Sequence, residues 1–194
     1  MSAQTVLLCG VGGQGTILAA DLLACAAMEA GRVVKVSEIH GMAQRGGAVT
    51  TVVRFGDDVC SMVCDAGCAD VVVSFETTEA LRNQSQLKDG GSLIVNDVAI
   101  KPLPVLTGRA RMPRAARADL QALGAELIPA ERLALEAGSI KTANVVLLGA
   151  LSAHLDFPEE AWERSIVSRV PAATVDMNLA AFHAGRSLVA GKED

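Results

Sequence analysis

The first chemically suggestive run lies near the start of the chain. In the run Gly10-Val11-Gly12-Gly13-Gln14-Gly15, glycines 10, 12 and 15 match the spacing G-x-G-x-x-G. Missing side chains let a backbone approach a phosphate, and a helix starting just behind such a turn offers unpaired N–H groups and a partial positive charge to an anion. Glu38, at the end of the next β-branched run, lies near where a carboxylate would take a ribose hydroxyl in a nicotinamide-binding fold. The competing reading is that the glycines only permit a tight turn and close helix–strand packing. The pattern alone leaves both readings standing.

A second concentration of chemistry is Ser37-Glu38-Ile39-His40-Gly41-Met42-Ala43-Gln44-Arg45-Gly46-Gly47, unusually polar and glycine-rich for the end of a strand and built as a recognition loop. His40 has a reference pKa that lets it give or take a proton near neutral pH; the alternative is a hydrogen-bonded loop anchor. Arg45 offers a forked, permanently charged donor set for a phosphate or a partner carboxylate, against an intrachain ion pair with Glu38 or Glu76. Glu76 and Glu79 look like paired carboxylates, yet the helix dipole alone favours acids in a first turn, and capping is the preferred reading. Cys60, Cys64 and Cys68 form C-x3-C-x3-C. Iron–sulfur sites take four ligands at gaps of two or four, so a structural role is preferred and no metal site is assigned. Cys9 and Cys25 fall in apolar segments, where a free thiol behaves as a small hydrophobe.

These groups must be positioned by an alternation of strand and helix. Residues 5–9 form a β-prone run ahead of the glycines, residues 16–30 show helical apolar spacing closed by Gly31, and residues 33–37 make a second strand. That βαβ unit should set the two strands parallel and adjacent, with a right-handed crossover. Residues 48–55 and 59–63 flank Gly56-Asp57-Asp58 as a hairpin. Strands at 71–75, 92–96 and 126–128, helices at 77–86, 116–123, 142–154, 158–167 and 174–189, and a surface loop at 101–114 complete the prediction. The fold class is α/β: a Rossmann-like three-layer sandwich with a mostly parallel sheet, a β-hairpin after the second strand and C-terminal helices, in one domain spanning residues 1–194.

Composition narrows the class further. The 194 residues include four Phe, one Trp and no Tyr, so the core must be built from small aliphatic side chains at short range. A net charge of −5 argues against nucleic acid, whose phosphates need a basic face. No stretch is apolar for the 18 or so residues a membrane span requires, nor does the N-terminus resemble a signal peptide. The expected location is the cytoplasm.

Together the glycine run and the S-E-x-H-G-M-x-Q-R-G-G string resemble the signature of the gamma-type subunit or domain of the 2-oxoacid:ferredoxin oxidoreductases. The resemblance continues through Arg54-Phe55-Gly56, Ala69-Asp70, Phe75-Glu76, Glu79-Ala80-Leu81-Arg82, Gly90-Gly91 with Asn96, and Asn144-Val145-Val146-Leu147-Leu148-Gly149-Ala150. It covers residue 5 to about residue 185. The compact length without a fused cluster domain is most similar to the indolepyruvate branch, whose chain of this type is called the beta subunit.

The resemblance implies a complex that uses thiamine diphosphate with Mg2+, 4Fe-4S clusters and coenzyme A to convert a 2-oxoacid to an acyl-CoA and carbon dioxide while reducing ferredoxin. This chain shows no G-D-G thiamine motif and no cysteine ladder for clusters, so both groups are expected on a larger partner subunit. The ligand-binding set, for coenzyme A or another phosphate, is then Gly10, Gly12, Gly13, Gln14, Gly15 and Arg45. Contacts to the partner would come from Glu38, His40, Gly41, Met42, Gln44, Gly46 and Gly47. Catalysis is assigned to no residue beyond a possible part for His40. Arg109, Arg111, Arg114 and Arg117 could meet coenzyme A phosphates or an acidic ferredoxin, with a solvated loop face the preferred reading. Alone, the chain should be inactive and form homo-oligomers. The alternatives are an independent NAD- or FAD-binding oxidoreductase and a purely structural subunit without a ligand.

Overall fold

The computed structural model describes residues 3–40 and 47–191. Strand β1 (Gln4–Val11) is apolar on both faces and buried from Thr5 onward, the signature of a strand deep inside a sheet. Helix α1 (Thr16–Glu29) follows the glycine turn and buries Ala19, Ala20, Ala26 and Ala27 beside Leu22 and Leu23. Its small side chains bring the helix close to the sheet, as the alanine-rich composition requires. Strands β2 (Val33–His40), β3 (Ala48–Gly56), β4 (Ala69–Ser74), β5 (Leu87–Asn96) and β6 (Glu126–Ile128) join β1 in a six-stranded sheet of order β2-β3-β1-β4-β5-β6. On the far side of β1 the ladder is parallel, with Val6 opposite Val71 and Val71 opposite Ser92.

Helices cover both faces. Helices α5 (Ala130–Glu136), α6 (Ala143–Ser152), α7 (Glu159–Arg169) and α8 (Val175–Ala190) share with α1 the larger core. Helices α2 (Thr77–Asn83) and α4 (Ala116–Ala122) cover the opposite face, where Leu7, Val52, Val72, Leu93 and Leu120 meet. The scarce aromatics are concentrated: Phe55, Phe157, Trp162 and Phe182 form one chain with successive centroids 4.9, 5.8 and 5.8 Å apart. Helices α6 and α8 cross at Gly149 and Gly185. A Cβ on Gly149 would lie 2.0 Å from the Phe182 carbonyl oxygen, and one on Gly185 would lie 1.9 Å from that of Val146.

The fold class is as the sequence indicates, but four details differ. Strands β1 and β2 point the same way without being neighbours, because β3 inserts between them antiparallel to both. The hairpin is formed by β2 and β3, whereas residues 59–63 form no strand. Both edges of β3 are already occupied, so the 59–63 run lies across the sheet face. There the Arg54 guanidinium donates to the Ser61 carbonyl at 2.8 Å and Lys35 Nζ to that of Cys60 at 3.4 Å. Helix α5 was not anticipated, although Ala130, Leu133 and Ala134 are buried at helical spacing. The 101–114 loop also contains a single helical turn, α3 (Leu103–Leu106).

Candidate functional site

After β1 the chain turns to one face of the sheet, and after β4 it turns to the other. Beyond the carboxyl ends of the two strands the diverging connections leave a crevice, the usual ligand position in an open α/β sheet. It has a volume of about 360 Å³. Gly13, Gln14 and Gly15 line one wall, Phe75, Asn96 and Ile100 a second, and Lys141 and Asn144 a third.

The glycine turn takes its shape from three local demands. Gly13 and Gly15 sit at φ +105° and +77°, where side chains are strained, and a Cβ on Gly15 would come within 2.7 Å of the Asn144 amide nitrogen. Gly10 is a packing glycine, because a Cβ there would lie 2.9 Å from that of Phe75. Gln14 spans the turn: its Oε1 accepts from the Val11 N–H at 2.8 Å and its Nε2 donates to the Phe75 carbonyl at 2.8 Å. Gly15 caps α1 without any side-chain hydrogen bond, so the first-turn N–H groups have no side-chain cap beside the crevice. Helix α6 begins at the opposite wall, but a 3-10 turn (Ile140–Thr142) leads into it: Ser139 Oγ accepts from the Lys141 N–H at 3.3 Å and the Ile140 carbonyl accepts from the Ala143 N–H. The start of α1 is therefore the uncapped positive dipole end at this cavity.

Glu76 fixes the second wall. Its buried carboxylate accepts from the Thr78 N–H at 2.9 Å and from the Glu79 N–H, capping α2, and Oε2 also accepts from the Ile100 N–H at 3.3 Å. Glu76 thus holds the 96–100 connection in place, and the capping reading of the sequence is correct. Glu79 is also buried and pairs with Arg82 at 2.5 Å. Loss of hydration holds its carboxyl above the ordinary glutamate range; Arg82 opposes the shift and Glu76 adds to it. Asn96 and Asn144 are both buried, and each has one side-chain oxygen without a hydrogen-bond partner among the described residues. Their amide nitrogens donate to the carbonyls of Phe75 and Gly15, each at 3.3 Å.

Residues 41–46, which include Gly41, Met42, Gln44, Arg45 and Gly46, lie outside the described residues. The ends of their segment are placed: His40 pairs with Val49 in the ladder, and the Gly47 carbonyl accepts from the Gly12 N–H at 2.9 Å. The two sequence motifs therefore meet at the carboxyl end of β1, across the start of β3 and not through adjacent strands. That contact also commits the Gly12 N–H to the fold. Glu38 is exposed on the outermost strand, displaced from the crevice by β3 and so out of place for a ribose carboxylate. Cys64 and Cys68 are joined in a disulfide, and the Cys60 thiol donates to Asp58 at 3.4 Å. Arg117 pairs with Asp97 at 2.9 Å. The crevice residues Ile100, Lys141 and Asn144 were missed as site residues because they come from distant segments. The available signal was an asparagine ending one buried strand and another opening an apolar helix.

Residues 5–188 match the model of the family described as pyruvate ferredoxin/flavodoxin oxidoreductase. The chain belongs to that family. It is 44% identical over 192 residues to the indolepyruvate oxidoreductase subunit IorB of Thermococcus kodakarensis, covering 95% of each chain. Its fold is similar to that of the keto/oxoacid ferredoxin oxidoreductase gamma subunit of Geobacter sulfurreducens, with a TM-score of 0.74, 28% identity, and 97% and 99% of the two chains covered. The 2-oxoglutarate:ferredoxin oxidoreductase of Magnetococcus marinus, solved with 2-oxoglutarate, coenzyme A and succinyl-CoA bound, shares the fold at a TM-score of 0.71 and 22% identity. The match spans 98% of this chain and 32% of that one. As a family member the chain is a small subunit of a multi-subunit 2-oxoacid:ferredoxin oxidoreductase, which larger subunits complete. The relatives lend no support to an independent NAD- or FAD-binding oxidoreductase.

Proposed function

We propose that this chain is the small subunit of a cytoplasmic indolepyruvate:ferredoxin oxidoreductase and that its crevice receives one end of coenzyme A. The crevice is the observation that carries the reading. The uncapped start of α1 and Lys141 suit phosphate oxygens, and the side-chain amides of Asn96 and Asn144 in the lining suit amide or amino groups. Coenzyme A contains both kinds of group. At about 360 Å³ the cavity takes part of such a molecule, leaving the thiol end to reach the partner. Arg45, in the segment joining β2 to β3, adds a charged clamp on the same ligand or on the partner.

In this reading the larger subunit holds thiamine diphosphate with Mg2+ and the 4Fe-4S clusters, and it passes electrons to ferredoxin. Thiamine supplies the carbanion chemistry of 2-oxoacid decarboxylation when bound. This chain binds and orients coenzyme A, keeps water from one side of it and contributes to the partner contact. Without the larger subunit it is inactive and associates with itself.

Steady-state kinetics of the co-expressed complex test the proposal, with coenzyme A and indolepyruvate varied separately. Asn144→Leu, Lys141→Ala and Arg45→Ala should each raise the KM for coenzyme A, by roughly 5–30-fold for the loss of about 1–2 kcal/mol of polar contact. The KM for indolepyruvate should stay near the parent value. If all three leave both constants, turnover and complex formation unchanged, the crevice is structural.

A further inference from the structure

Strand β2 is the outermost strand of the sheet, with β3 on its inner side. It is exposed along most of its length, and three large aliphatic residues lie in the open: Val33 at 48%, Val36 at 48% and Ile39 at 67%. An edge strand of this length, with no proline and an unbroken register, is guarded only by Lys35 and Glu38 among its apolar residues and is open to pairing. We propose that the β2 edge pairs antiparallel with β2 of a second copy of this chain. The proposal specifies the interface for the self-association proposed above, and its test separates the two.

The sequence of the strand selects both the occupant and the register. Two copies related by a two-fold axis normal to the sheet keep their faces aligned, so a residue can oppose only one an even number of positions away. Centring the pair on Val36 sets Val36 against its own copy and Val33 against Ile39 at both ends, so every exposed large aliphatic side chain meets another. Lys35 then faces Ser37. Centring on Lys35 sets two lysines directly opposite, and centring on Glu38 does the same with two glutamates, both unfavourable. Centring on Ser37 sets Lys35 against Ile39 and Val36 against Glu38. The Val36 register leaves Val34 against Glu38, but of these registers it alone sets every exposed large aliphatic side chain against another and opposes no like charges.

A continuous sheet through two copies adds further apolar area at one end of the strand. Ile39 is the rim of an open groove of about 520 Å³ that also includes Met62 and Val63, and the opposing Val33 would sit beside it. The crevice lies on the other side of β3 and is not blocked by this pairing.

Sedimentation and cross-linking decide the matter, with the full chain measured alone and in the co-purified complex in a Cys60→Ser background. Val36→Cys should form an intermolecular cross-link with a short bifunctional reagent in both preparations, because residue 36 opposes itself. Ile39→Cys should form none, since its two copies would be about 20 Å apart along the strands. Val36→Lys should weaken the dimer about tenfold or more with unchanged circular dichroism. A dimer that cross-links equally through residues 36 and 39, or through neither, overturns the interface while leaving self-association intact. A monomer at all concentrations overturns both. Loss of the Val36→Cys cross-link in the complex would assign the edge to the larger subunit and overturn the proposal as well.

Discussion

The side-chain amide of Gln14 donates to the backbone carbonyl of Phe75 at 2.8 Å, tying the turn after β1 to the end of β4 across the mouth of the crevice. Its oxygen is used as well, by the Val11 N–H. Removing both bonds with Gln14→Ala should cost about 1–3 kcal/mol, since two backbone groups lose their partners. Gln14→Glu should be at least as harmful, because it turns an acceptor toward the Phe75 carbonyl. Urea unfolding of the three proteins measures the effect, and equal midpoints would show that the clasp contributes nothing.

The crossing of α6 and α8 allows no side chain at its centre. Gly149→Ala and Gly185→Ala each force a methyl against a backbone carbonyl, and overpacking of this kind costs about 1–3 kcal/mol or more. Each variant should lower the thermal midpoint by several degrees. Gly108→Ala makes a useful control, because its added Cβ would meet nothing within 4 Å and it would pay only for its positive φ.

Glu79 gives stability a specific pH dependence. Burial keeps its carboxyl protonated to a higher pH in the folded state than in the unfolded chain. The folded state then binds more protons, and this contribution, complete below the ordinary glutamate value, fades as pH rises through the elevated one. Denaturant titrations above pH 4.5 should show a decline with pH that Glu79→Gln flattens. A parallel decline in the variant would remove Glu79 as the cause.

The thiols should react in sequence. Cys9 is buried, and burial together with the Glu79 and Glu76 carboxylates pushes its pKa up to about 12, despite a favourable contact with Ser74. A thiolate reagent at pH 8 should label exposed Cys60 first and partly exposed Cys25 more slowly, leaving Cys9 unmodified until the chain unfolds. Cys64 and Cys68 should become reactive only after reduction. Labelling of native Cys9 at the rate of Cys60 would contradict this order, which peptide mapping can follow.

The legibility of the sequence tracks how local each determinant is. The strand–glycine–helix start was readable because Thr5 to Glu29 carries its own signals, and the capping role of Glu76 followed from its position ahead of Thr77. Strand order was not readable. Residues 48–56 are as β-prone as a parallel strand, and what makes β3 antiparallel is its short connection to β2, which leaves no room for a crossover. The crevice was half visible: its glycine wall lies in one motif, whereas Asn96 and Asn144 are brought there by tertiary packing alone.

The insertion of β3 beside β1 also sets an order in time. Strand β1 leaves the ribosome before the other five strands of the sheet, so both of its neighbours, β3 and β4, are encoded after it. The β2–β3 hairpin can close as soon as residue 56 emerges, presenting a ready template for β1. Until β4 is made, this strand, buried from Thr5 onward in the finished fold, keeps one edge open, so a nascent or prematurely truncated chain carries its aggregation hazard at the centre of the future sheet.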